Sequence, residues 1–182
     1  MRIIRIMLAA LAMLASPAAL AQPSDSVTIR ANESVSLRVG PGGELSVENR
    51  APNPPLRGFN REVAQRFVGG EFDDVVGDRT APVSPNDPTA TVEPIAPGLI
   101  RISFFRLPTP ARNAFLVIEN GYDRGLVYRA QMRRGDREAP TDVCLVMPMR
   151  GGFEHWPYQI DELVLSSLRL VPWQESDGIP CE

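Results

Sequence analysis

Apolar and polar residues alternate over most of this chain beyond its N-terminal segment, and that period constrains the fold more than any other feature. In "SVSLRV", Val35, Leu37 and Val39 fall on one side, and Ser34, Ser36 and Arg38 fall on the other. A period of two is that of a strand with one face in water. The same pattern runs through "SVTIRA" (Ser26 to Ala31) and "ELSVEN" (Glu44 to Asn49). Asn32-Glu33 and Gly40-Pro41-Gly42-Gly43 are turn signals between these runs. Residues 26–49 therefore read as three short antiparallel strands, ended by Pro52, Pro54 and Pro55.

The second half repeats the signal. "LIRISFFRL" (Leu99 to Leu107), "AFLVIEN" (Ala114 to Asn120), "LVYRAQM" (Leu126 to Met132) and "DVCLVMPM" (Asp142 to Met149) read as further strands. Polar residues 133–140 read as a turn. Asn49 and Asn120 close two similar runs, "LSVEN" and "LVIEN", and each is expected to shape the turn that follows it.

Two stretches force a choice. Phe59, Val63 and Phe67 share one helical face, Asn60 suits an N-cap and Gly69-Gly70 suits a stop, so a short helix is expected over Arg61 to Val68. From Ile160 to Val171, apolar residues also fall at helical spacing. Leu163/Leu165 and Leu168/Leu170, however, form two alternating pairs interrupted at Ser166-Ser167, which is what a bulge does to a strand. The strand-rich surroundings favour a turn over Ile160 to Glu162 and a bulged strand from Leu163 to Val171. Residues 78–97 carry five prolines and read as a long irregular loop, and the tail 173–182 reads as irregular too.

About eight strands without strand–helix alternation imply an all-β fold: a two-sheet antiparallel sandwich with one short helix and a long proline-rich loop. Its expected general character is immunoglobulin-like. The stretch from Ala114 to Met132 resembles an immunoglobulin-like hairpin of periplasmic chaperones and cell-surface modules. Eighteen prolines among 182 residues argue independently against a helical bundle.

The first 21 residues read as an export signal. Arg2 and Arg5 precede an apolar run from Ile6 to Ala15, and Ala19-Leu20-Ala21 has the small-x-small form of a cleavage site. Residues 22–182 are then a single exported domain, with the periplasm as the expected location and secretion as the alternative. An exported chain favours a bridge between its two cysteines, Cys144 and Cys181. The formal charge of −3, reached with 19 arginines and no lysine, disfavours nucleic acid as a partner. No later stretch has the length and apolarity of a membrane span.

Reactive chemistry is sparse. A single histidine excludes metal sites that need two, and the absence of lysine excludes a P-loop and lysine-based catalysis. There is no G-x-S-x-G elbow. Glu71, Asp73, Asp74, Asp78 and Asp87 lack the spacing of a calcium loop and read as solvated. No metal and no cofactor are expected. The binding candidates are Phe153, His155, Trp156, Tyr158 and Trp173, since rigid aromatics suit a ligand platform or an interface. The expected function is a non-catalytic binding or accessory protein that recognises a protein, peptide or glycan of the cell envelope. One alternative is a small hydrolase using carboxylates such as Glu119 and Asp123, and another is a chaperone or inhibitor.

Overall fold

A computed structural model describes residues 24–54, 56, 58–69, 95–107 and 113–181. The expected signal segment, the acidic residues from Glu71 to Asp87 and most of the expected 78–97 loop lie outside these residues.

Nine strands and one helix are present among the described residues: β1 (Ser26–Arg30), β2 (Glu33–Val39), β3 (Leu45–Pro52), α1 (Gly58–Gly69), β4 (Ile100–Arg106), β5 (Ala114–Asn120), β6 (Gly125–Arg134), β7 (Arg137–Thr141), β8 (Gly151–Trp156) and β9 (Glu162–Val171). They form a four-stranded sheet in the order β1-β9-β6-β7 and a five-stranded sheet in the order β3-β2-β4-β5-β8. Every strand pair is antiparallel. The alternation explains how the sheets meet. Val27 and Ile29 of β1, Leu126 and Tyr128 of β6, and Leu163 and Leu165 of β9 are buried in one apolar cluster with Val35 and Leu37 of β2 and Ile100, Ile102 and Phe104 of β4.

β5 departs from alternation for a physical reason. Residues 114–118 are all buried. Leu116 and Ile118 enter the shared core. Phe115 and Val117 point to the opposite face, where they form a second cluster with Val63 and Ala64 of α1. A strand covered on both faces reads as a continuous apolar run. The helix is longer than expected at its start, so Asn60 lies inside it rather than at its cap. Phe59 and Phe67 lie on the face expected of them.

The bulge in β9 is present. Val127 of β6 pairs with Arg169 and Arg129 pairs with Ser166, so Ser167 and Leu168 together oppose Tyr128. Ser167 has a φ of 54°, the left-handed geometry of one bulge class. The extra residue returns Leu168 to the buried face already occupied by Leu163 and Leu165.

Three expectations need correction. Residues 133–140 are not a simple turn but the tip of a hairpin, with β7 pairing along β6 from Arg134↔Arg137 to Ala130↔Thr141. Residues 142–149 are not a strand. They make isolated bridges, Leu126↔Val146 and Cys144↔Cys181, because this segment crosses from one sheet to the other. Asn49 sits within β3, whereas Asn120 does shape a turn: its amide nitrogen donates to the carbonyls of Arg124 and Met147, and its Oδ1 accepts from the Tyr122 N–H.

Cys144 and Cys181 are joined by a disulfide that closes a separation of 37 residues. The Leu145 N–H donates to the Pro180 carbonyl beside it, at 2.9 Å. The tail is therefore held by covalent and backbone bonds, and it includes a short 3-10 turn at Glu175–Asp177.

Candidate binding site

Strand pairing separates the five aromatic and histidine candidates. Successive residues of β8 point to opposite faces. Phe153 and His155 face α1, where Phe153 packs edge-on to Phe59 with ring centroids 5.8 Å apart, and His155 stacks on Phe67 at 5.0 Å. Burial lowers the His155 pKa from its ordinary value. Trp156 points the other way, into the shared core, and is 6% exposed. Its indole N–H donates to Thr141 Oγ1 of β7 at 2.6 Å. Tyr158 follows it onto the rim of β6. Trp173 lies apart on the tail, and its indole N–H donates to the Gly178 carbonyl at 2.7 Å. The sequence cluster is thus not one surface. Trp156 and Tyr158 meet the β6–β7 arm, Phe153 and His155 lie beneath the helix, and Trp173 belongs to the C-terminal tail.

The β6–β7 arm carries an open concavity. Its volume is about 400 Å³, and it is lined by Met132, Arg134, Arg137, Glu138 and Ala139. This is within the size range of ligand pockets. Gly135-Asp136 forms the two-residue turn, and Gly135 has a φ of 57°, as the first central position of a hairpin turn can require. Residues directly opposite in an antiparallel pair share a face. Arg134 and Arg137 are such a pair, and so are Met132 and Ala139 one step further in. Met132 packs against the shared core, so this is the inward face of the arm, continued past the point where core residues fill it.

Tyr158 backs this surface. Its hydroxyl lies 3.5 Å from Met132 Sδ, and the Arg134 guanidinium sits 4.6 Å from the centroid of its ring. A cation over an aromatic face gains about 0.5–1 kcal/mol at an exposed site. The turn is anchored from below: Gly135 N–H donates to Asp161 Oδ2 at 2.9 Å. That bond, an amide from Gln159 and the nearby Arg106 and Arg134 hold the Asp161 pKa below its ordinary value. Arg133 pairs with Glu138 at 2.6 Å and with Glu162 at 3.4 Å. The carboxylate of Glu138, which also lines the concavity, is thereby engaged by Arg133.

The carboxylates considered for hydrolysis are placed differently. Glu119 is held by both Nε and Nη2 of Arg101, and Asp123 is an exposed turn residue. Glu154, next to the histidine, points inward and accepts from the Cys144 N–H at 2.9 Å and the Tyr128 hydroxyl at 3.3 Å. Among the described residues, no group of three His, Cys, Asp or Glu side chains gathers as a metal site. Nor is any helix among them long and apolar enough to cross a membrane.

The chain matches no protein-family model, curated protein or solved structure.

Arg134 and Arg137 were not legible as site residues, because residues 133–140 read as a polar turn, and Met132 read only as the end of a strand. The available signal was Gly135-Asp136 between two runs of strand-compatible length.

Proposed function

We propose that this protein is an exported, non-catalytic binding protein of the periplasm, and that the concave side of its β6–β7 arm is the binding surface. The observation that carries this reading is the directly opposed pair Arg134↔Arg137 above Met132 and Ala139 in an open concavity. Like charges placed directly opposite one another are destabilising in a sheet. A bound partner of complementary charge offsets that cost. Tyr158 and Trp156 stiffen the surface through Met132, Arg134 and Thr141, which reduces the ordering cost of binding.

The bare edge of β7 is a poorer surface. With a two-residue turn, the hydrogen-bonding alternation directs the Pro140 position away from β6, so proline removes an outward N–H from that edge. Side-chain recognition in the concavity is favoured over strand addition along β7. An immunoglobulin-like character for the sandwich belongs to the same proposal, and its support is the wholly antiparallel pairing of two sheets around one core.

The test is affinity capture from a periplasmic extract with the disulfide-intact exported protein. A partner retained by the native chain is expected to be lost with an Arg134→Glu/Arg137→Glu variant of unchanged melting temperature. Identical capture by both proteins would move the binding surface elsewhere.

A further inference from the structure

We propose that the β6–β7 concavity recognises a carboxylate presented by an acidic residue of a peptide segment, gripped between Arg134 and Arg137. The inference rests on the binding reading above and names its ligand. Two observations and one chemical principle support it. The two arginines occupy directly opposed positions on one face of the arm, and both line the concavity. The Arg134 guanidinium carbon lies 4.6 Å from the centroid of the Tyr158 ring, a contact that holds this end of the side chain at the concavity. A planar group with several donors matches a carboxylate bidentately.

The carboxylates near the pair already have other donors. Asp161 lies near enough for Arg134 to lower its pKa, but its oxygens already accept from Gly135 N–H at 2.9 Å, from Gln159 at 3.2 Å and from Arg106 at 3.3 Å. Glu138, which also lines the concavity, pairs with Arg133 at 2.6 Å. A ligand oxyanion therefore meets two arginines whose nearest carboxylates are engaged with other donors.

The floor selects the source of the carboxylate. Met132 and Ala139 give an apolar base beside the arginines, and methionine adapts to varied side chains. An acidic residue flanked by aliphatic residues in an extended peptide fits both parts. A sugar acid would place hydroxyl groups against the methionine and lose their hydration.

The test uses a capped pentapeptide mixture with glutamate fixed at the centre, the same mixture with central glutamine, and free galacturonate. Each is titrated against the disulfide-intact exported protein by calorimetry and by backbone amide shift mapping. The glutamate mixture is expected to bind at least tenfold more tightly than the glutamine mixture, to shift amides of Met132 to Ala139, and to weaken with added salt. Arg137→Gln is expected to weaken it at least tenfold, and Arg61→Gln on the exposed face of α1 to leave it unchanged. Equal affinity for the glutamate and glutamine mixtures at the arm would overturn the carboxylate clamp while leaving the binding reading intact. Galacturonate matching the glutamate mixture would overturn the peptide source. The absence of any shift at the arm with all three probes would overturn the clamp, and the capture experiment above would then decide the binding reading separately.

Discussion

The ring of His155 lies nearly parallel to that of Phe67, with centroids 5.0 Å and planes 18° apart. This contact joins the C-terminal part of α1 to the edge strand of the five-stranded sheet. Its environment includes Phe115, 5.9 Å from Phe67, and Phe153, 5.8 Å from Phe115. The chain's sole imidazole therefore sits in an aromatic layer that disfavours its charged form.

That placement predicts a pH dependence of stability. Burial lowers the His155 pKa in the folded protein. As pH falls through the unfolded value, near 6.5, the unfolded chain takes up the proton first, so stability declines until pH passes below the folded value. Melting temperature should fall between pH 7.5 and pH 5.5 in the native chain, and fall less in His155→Phe. Parallel declines in the two proteins would remove His155 as the cause.

The bulge residue predicts an unusual substitution pattern. Ser167 has a φ of 54°, where a side chain costs roughly 1–2 kcal/mol and glycine costs little. Ser167→Gly should leave urea stability unchanged within about 0.5 kcal/mol or raise it. Ser167→Val should lower stability by at least about 1 kcal/mol, since β-branching tolerates this geometry worst. Equal effects from the two substitutions would contradict a left-handed residue at this position.

Loss of the tail staple should be costly. The disulfide spans 37 residues, and the loop-entropy relation gives about 3–4 kcal/mol for a closure of that length. Cys181→Ser should lower the denaturation midpoint accordingly. The native chain, denatured without reductant, should show no free thiol at either cysteine.

Tyr128 should resist alkali. Burial raises its pKa well above the ordinary 10, and the neighbouring Glu154 carboxylate raises it further. In a folded-state titration at 295 nm, Tyr128 should remain protonated while more exposed phenols ionise. Because the unfolded chain ionises first, stability should decline as pH rises above about 10, and Tyr128→Phe should diminish that decline. Three phenols titrating together below the unfolding transition would place Tyr128 in solvent.

Several elements were readable from the chain because their signals are local. The alternation of Val35, Leu37 and Val39 needs only a wet face and a dry one. Phe59, Val63 and Phe67 mark one side of a helix whatever it packs against. The break at Ser166-Ser167 announces a bulge, because only an extra residue returns Leu168 to the face of Leu163 and Leu165. The cysteine pair was readable from the expectation of export together with a count of two cysteines.

Other features were decided by partners distant in sequence. Residues 137–141 carry two charges and a proline, which disfavour a strand by propensity. They form β7 because the Gly135-Asp136 turn and β6 supply its register. Residues 142–149 look like a strand by composition, yet serve as a crossing between sheets. The alternation along "GGFEHWPY" could divide its aromatics between two faces, but only β8's position in the fold put α1 over Phe153 and His155, and the shared core around Trp156. The chain by itself determined strand period, one helical face and the bulge, since these depend on neighbouring residues. Tertiary structure decided the Arg134–Arg137 concavity, because it exists only where cross-strand register and Tyr158 bring separate segments onto one face.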